Sequence, residues 1–168
     1  MQIEGLELKN YRLFRRASFT GLPPMAVVVG ANGSGKTTLF DVFSFLKESL
    51  LENVGAAVAR RGGLRELASR GEDGPIEITV KFRESGGRLA TYQLAIGSDQ
   101  GRAVVENEDL RFRRGRYGQP WRFVDFSRGR GTAITNEAAY GLEGAVEERK
   151  EYVLDDPSLL AIKGLGQF

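Results

Sequence analysis

The sequence predicts one α/β unit in which a strand, a glycine loop and a helix, in that order, precede an antiparallel β-meander. Three observations carry that prediction. Met25-Ala26-Val27-Val28-Val29 is a short, nearly continuous apolar run after Pro23-Pro24, the pattern of a strand buried on both faces. Residues 30 to 37 read GANGSGKT, rich in the one residue that lets backbone wrap closely around a ligand. Lys36 to Leu51 then carries Leu39, Phe40, Val42, Phe43, Leu46 and Leu50, a wide apolar stripe at helical spacing.

The other elements follow from local pattern. Strands are expected near residues 3 to 9 and 15 to 20, ahead of the one at 25 to 29, and a second helical stretch near 57 to 69 with Val58, Leu64 and Leu67 inward. Ile76 to Phe82 and Ala90 to Ile96 alternate apolar and polar, with Glu84-Ser85-Gly86-Gly87 between them as a hairpin turn. Ser98-Asp99-Gln100-Gly101 turns the chain into Ala103 to Phe112, and Arg113 to Pro120 is a Gly-rich tip. No internal repeat or low-complexity linker interrupts the series.

The glycine loop carries the chemistry. GANGSGKT matches G-x-x-x-x-G-K-S/T in full. Gly30, Gly33 and Gly35 stand where successive N–H groups must approach an anion with no Cβ in the way, and Ala31, Asn32 and Ser34 complete the wrap. Lys36 supplies a mobile cation for β- and γ-phosphates, Thr37 a hydroxyl for Mg²⁺, and Thr38 continues into a helix whose positive end faces the anion. The expectation is a site for a nucleoside triphosphate with Mg²⁺.

Composition narrows the alternatives. The chain has 168 residues with 41% hydrophobic and 27% charged, enough for one substantial core. With no cysteine there are no disulfides or thiolate metal sites, which makes a cytoplasmic setting natural. With no histidine there is no imidazole base, no Ser-His-Asp triad and no ordinary zinc site. No apolar run approaches the roughly 20 residues of a membrane-spanning helix. The pI of 9.0 rests on a net charge of only +2, because little titrates between the carboxylates and the lysines, so it does not by itself indicate nucleic acid. Arg111, Arg113, Arg114, Arg116, Arg122, Arg128 and Arg130 alternate with Phe112, Tyr117, Trp121, Phe123 and Phe126. Two readings stand: aromatics stacking on bases beside phosphate-neutralising arginines, or a meander with aromatics inward and arginines outward.

The stretch LELKNYRLFRRASFTGLPPMAVVVGANGSGKTTLFDVFSFL resembles the start of ABC-type ATPase heads of the SMC, RecF and OLD kind, including bacterial ATPases of the AAA class. The match rests on Lys9-Asn10-Tyr11-Arg12 at the end of a first strand and Asn32-Gly33 in the loop. The close resemblance covers about the first third of the chain. It implies an α/β P-loop NTPase fold, the N-terminal lobe of an ABC-type head, with a mixed sheet, a Walker A helix and an antiparallel meander. It implies nucleotide contacts from Arg12, and more weakly from Arg15, Arg16, and Arg60 or Arg61, each equally readable as a solvated surface arginine. Tyr11 reads either as a border to adenine or as core. Gln167 stands near the place of the glutamine that contacts Mg²⁺, or is an ordinary exposed glutamine. The resemblance also implies a C-terminal lobe, ATP-dependent homodimerisation and DNA as a possible partner.

Two segments imitate the missing motifs. Tyr152-Val153-Leu154-Asp155-Asp156-Pro157 looks like a Walker B, yet Glu147-Glu148-Arg149-Lys150-Glu151 precedes it where a buried strand should run; Asp156 as a helix N-cap with Pro157 following is the better account. Glu84-Ser85-Gly86-Gly87-Arg88 imitates an ABC signature but lies between two strands. The expectation is therefore an N-terminal portion of a longer ATPase, unable to hydrolyse ATP alone, its catalytic residues elsewhere. Against it stand a small-molecule or nucleotide kinase with residues 111 to 130 as a lid, a GTPase, disfavoured for want of Asn-Lys-x-Asp, and a module that binds nucleotide without hydrolysis.

Overall fold

The computed structural model describes residues 1–84, 87–113, 119–136, 139, 140, 142 and 144–164. Eight strands run β1 Gln2–Tyr11, β2 Phe14–Thr20, β3 Ile76–Arg83, β4 Leu89–Asp99, β5 Arg102–Phe112, β6 Trp121–Ser127, β7 Arg130–Ile134 and β8 Arg149–Val153. They form one sheet in the order β2-β1-β3-β4-β5-β6-β7-β8. All seven pairings among the described residues are antiparallel, so the expected mixed sheet is corrected to an antiparallel one. Helices α1 Lys36–Leu51, α2 Val54–Ala59 and α3 Leu64–Leu67 lie between β2 and β3 in sequence, and α4 Ala161–Gly164 follows β8. No described helix is long and apolar enough to cross a membrane.

One apolar cluster joins the sheet to the helices. Leu6 and Leu8 of β1, Ile76 and Ile78 of β3 and Leu94 and Ile96 of β4 alternate inward, meeting Val42 and Phe45 of α1 and Val54, Ala57 and Val58 of α2. The residues between them face out, where Lys9 pairs with Glu77 at 2.6 Å and Lys81 with Glu7 at 2.6 Å across neighbouring strands. That alternation is what a sheet with one packed face requires. The second helical stretch is split in two: Gly62 and Gly63, both at positive φ, break it into α2 and α3.

The clearest correction falls on residues 25 to 29. They form no strand, and Met25, Val27 and Val29 are each about four-fifths exposed. A continuous apolar run is the mark of a strand flanked on both sides, and none of the described strands pairs with this one. The aromatics of the Arg-rich segment go inward: Trp121, Phe123 and Phe126 of β6 are buried, Trp121 and Phe123 stacking about Phe112 and Tyr140. Arg111 and Arg122 pair with the buried Asp109. The base-stacking reading thus loses its aromatic faces, and the proposed kinase lid is largely sheet over β5 and β6; Arg114, Arg116 and Tyr117 lie outside the described residues.

Glu108 of β5 is fully buried and accepts hydrogen bonds from the Ala161 and Ile162 N–H groups and the Tyr92 hydroxyl, which fixes the start of α4 to the sheet. Burial pushes its carboxyl above the ordinary range, further than those three hydrogen bonds pull it down. A raised folded pKa means that the protonated form stabilises the fold, a contribution complete below the unfolded value and lost as pH climbs through the folded one. Glu108→Gln is neutral at every pH. Denaturation of both proteins at ~pH 4 and ~pH 8 should show the balance moving in favour of the variant as pH rises. A shift the other way would mean that the three donors outweigh burial.

Candidate functional site

The glycine loop enters α1 without a side-chain cap. Its N-cap, Gly35, adopts φ 94° and ψ 5°, and a helix leaves its first amides without partners inside the helix. A side chain at Gly35 would be strained at that φ and would bring a Cβ within 2.9 Å of Phe14 Cζ. Phe14, at the start of β2, thus seats the loop on the sheet, and Phe19 packs edge-on against it at 6.1 Å. Lys36 Nζ donates to the carbonyls of Gly30 at 2.6 Å and Ala31 at 2.7 Å, closing the loop into a ring. The Ser34 N–H turns back to Ala31 O at 3.3 Å. Thr37 is exposed at the loop mouth while Thr38 is buried, so two adjacent threonines present their hydroxyls to different surroundings. Gly30, Ala31, Ser34, Gly35 and Lys36 are thus held in one closed loop at the start of α1.

The Lys9-Asn10-Tyr11-Arg12 group proves to be a staple. Asn10, buried at φ 57°, accepts from the Ser69 N–H at 2.9 Å and donates to Gly74 O at 2.8 Å. The Arg12 N–H donates to Leu67 O at 2.7 Å. The β1–β2 turn is thereby tied to the segment after α3, and the two enclose an open cleft of about 710 Å³ with Thr38 on its wall. Arg12, Arg15, Arg65 and Arg70 line it. Arg16 faces a different depression, beside Glu7 and Glu77.

Tyr11 is wholly buried and donates to Asp41 at 2.8 Å, so its role is packing and not a border to adenine. Burial and the Asp41 carboxylate push its hydroxyl pKa far up, keeping it a donor. Arg61 does not reach for the loop. Its side chain is 7% exposed, with Nε on Asp41 at 3.0 Å, Nη1 on Glu48 at 2.7 Å and on Ala57 O at 2.9 Å, above the Phe45 ring at 5.2 Å. Arg60 is held by Glu52 and Glu48. Arg12 also meets Asp41, at 3.2 Å, from the edge of the cleft. Sequence reasoning missed Asp41, although a lone carboxylate between Phe40 and Val42 in the apolar stripe of α1 signals a buried partner.

The aspartates of the false Walker B end no buried strand. Among the described residues β8 is an edge strand paired only with β7; Asp155 is exposed, and Asp156 accepts from the Ser158 N–H at 2.8 Å and hydroxyl at 2.9 Å. Asp156 does cap a turn, but the helix begins at Ala161 and not at Pro157. Among the described residues no group of three or more acidic side chains is placed to hold a metal. Gln167, Ser85 and Gly86 lie outside the described residues.

A glycine loop opening a 16-residue helix against an antiparallel sheet defines a nucleotide-binding domain of the P-loop ATPase class. The family model described as "AAA domain, putative AbiEii toxin, Type IV TA system" matches residues 25–156, and the chain belongs to that family. Seven chains of solved structures match it. One, from work on ATP-driven dimerization and DNA-stimulated activation of SMC ATPases, is 18% identical with a TM-score of 0.43, over 72% of each chain. At that level the likeness says nothing of function. No curated protein matches.

Removing Arg61 leaves Asp41 and Glu48 facing a partly desolvated gap. Arg61→Met, which keeps the stem over Phe45, should cost about 2–3 kcal/mol in urea denaturation, less than a fully buried pair because Glu48 is partly exposed. A loss below about 0.5 kcal/mol, the range of a surface pair, would show the network to be ornamental.

Proposed function

We propose that the chain binds ATP with Mg²⁺ through Gly30, Ala31, Asn32, Gly33, Ser34, Gly35, Lys36, Thr37 and Thr38, with Arg12 at the edge of the site. The observation that carries this is the uncapped start of α1, where free amides, a left-handed Gly35 and Lys36 converge on one loop. The Thr37 hydroxyl is free to take one position on Mg²⁺, an ion that keeps most of its shell as water and phosphate oxygen and so needs few protein ligands. Mg²⁺ would neutralise charge on the β- and γ-phosphates.

We further read the chain as the N-terminal nucleotide-binding lobe of a longer SMC/RecF/OLD-like ATPase that dimerises on ATP. In support, the exposed Met25, Val27 and Val29 form an apolar segment that no strand among the described residues covers. A C-terminal lobe of the same ATPase would cover it, adding the Mg²⁺ aspartate and the water-orienting glutamate. DNA repair, chromosome maintenance and defence are all compatible roles, the last in keeping with the toxin-antitoxin family description. The cytoplasm is the compartment the cysteine-free sequence suits.

Calorimetry on Lys36→Ala tests the site. Losing the charge-assisted bonds to phosphate should weaken ATP by roughly 30- to 150-fold, on the order of 2–3 kcal/mol, and an unchanged affinity would sink the assignment.

A phosphate-release assay on the chain alone tests the division of labour. Turnover should be negligible beside the ~1 s⁻¹ of ordinary enzymes. Hydrolysis at that rate, abolished by Asp155→Asn or Asp156→Asn, would make the chain a complete small NTPase.

A further inference from the structure

We propose that Asp41 is a positioning residue of the nucleotide site: it holds Arg12 low on the guanidinium, at Nε, and leaves the two terminal nitrogens to a phosphate oxygen of the ligand. This rests on the reading of the glycine loop as an ATP site with Arg12 at its edge; Asp41 is the group that aims that arginine.

Asp41 serves two arginines, and serves them unequally. Arg61 donates through Nε to both carboxylate oxygens, at 3.0 and 3.2 Å, and has further partners in Glu48 and the Ala57 carbonyl. Arg12 brings its Nε to 3.2 Å from Asp41 Oδ2 without a hydrogen bond, and among the described residues no other carboxylate lies within ion-pair distance of it. Neutralising Asp41 would therefore release Arg12 while Arg61 stays on Glu48.

The root of Arg12 is fixed as well. Its backbone stands at φ 48°, a left-handed conformation that residues with a side chain seldom adopt unless their surroundings impose it, and its N–H donates to Leu67 O at 2.7 Å. The side chain is 34% exposed although Nε is buried, so its exposure lies in its other atoms. Arg12 lines the same cleft as Thr38, the residue after the threonine given to Mg²⁺. An unrestrained arginine loses its rotamer freedom on meeting a phosphate; one already held at its root and at Nε has less left to lose. A carboxylate near an anion site would ordinarily repel the ligand. Here Arg61 balances that charge, and what remains of the effect of Asp41 is its hold on Arg12.

Calorimetry with ATP and Mg²⁺ on the full chain tests this as a double-mutant cycle. Arg12→Ala should weaken ATP about 10-fold. Asp41→Asn, which keeps the shape of the side chain and an oxygen for the Tyr11 hydroxyl, should weaken it about 5-fold. In the Arg12→Ala background the same change should add less than about 2-fold, because the group it positions is gone. Arg61→Met, which takes the other arginine from the same carboxylate, should lower the unfolding temperature yet leave ATP affinity within about 2-fold, separating stability from positioning. Arg12→Lys keeps the test open where Asp41→Asn does not fold: a single ammonium cannot give one nitrogen to Asp41 and two others to phosphate, so ATP should weaken at least about 5-fold. The proposal is overturned if Asp41→Asn binds ATP as tightly as the unaltered chain or tighter, if its effect persists undiminished without Arg12, if Arg61→Met weakens ATP as much, or if Arg12→Lys retains full affinity. Failure of the unaltered chain to bind ATP overturns the glycine-loop reading and this proposal together. A loss on Lys36→Ala with none on Arg12→Ala keeps the first and overturns the second.

Discussion

Asp41 is the constraint on which the candidate site depends. A single carboxylate, one turn and a half into α1, meets the Tyr11 hydroxyl from β1, the Arg61 guanidinium from beyond α2 and the Arg12 guanidinium from the β1–β2 turn. Burying a charge is expensive unless its lone pairs are filled; here the Tyr11 hydroxyl and the Arg61 Nε–H donate to it, and Arg12 adds an ion pair. The consequence is mechanical. Asp41 lies five residues from Lys36, ~7.5 Å along the helix axis, so fixing it against β1 fixes the angle at which the start of α1 meets the glycine loop. Arg61 carries the constraint outward through Glu48 and the Ala57 carbonyl, holding α2 against the same helix.

A second contact works with it. Phe14 lies against Gly35 at a distance that no side chain could share, so β2 supports the loop from the other side. The β1–β2 hairpin therefore touches α1 twice, through Tyr11 at Asp41 and through Phe14 at Gly35. Anion binding by backbone amides depends on their being aimed before the ligand arrives, and short rigid supports of this kind provide that aim without any side chain entering the loop.

Much of the fold was legible because period and turn chemistry agree. Ile76 to Phe82 and Ala90 to Ile96 alternate, and Gln100 and Gly101 supply the positive φ that the turn into the next strand needs. The start of α1 follows from the motif. What was not legible has physical causes. The run at residues 25 to 29 has the composition of a doubly flanked strand, but composition reports an environment and not whether the described residues provide it. The break between α2 and α3 turns on two glycines, and the paired arginines looked alike in sequence: Arg61 and Arg65 differ only in whether a carboxylate from another element reaches them. Asn10 was visible as part of a family resemblance, yet its work, holding residues 69 and 74 to β1, is a long-range contact that no local pattern reveals.

The aromatic-arginine segment shows the same ambiguity resolved by burial. Alternation such as Leu110-Arg111-Phe112 is compatible with a base-stacking surface and with a meander, since both need aromatics on one face and cations on the other. The difference is whether that aromatic face meets solvent. Trp121 and Phe123 close it against Phe112 and Tyr140, and the buried Asp109 draws Arg111 and Arg122 into ion pairs, so the charge is spent within the sheet. Arg65 and Arg70, on the wall of the cleft beside Thr38, have no carboxylate within ion-pair distance among the described residues. Arg111 and Arg122 are thus tied within the sheet, while the cleft beside the start of α1 keeps a guanidinium-rich wall.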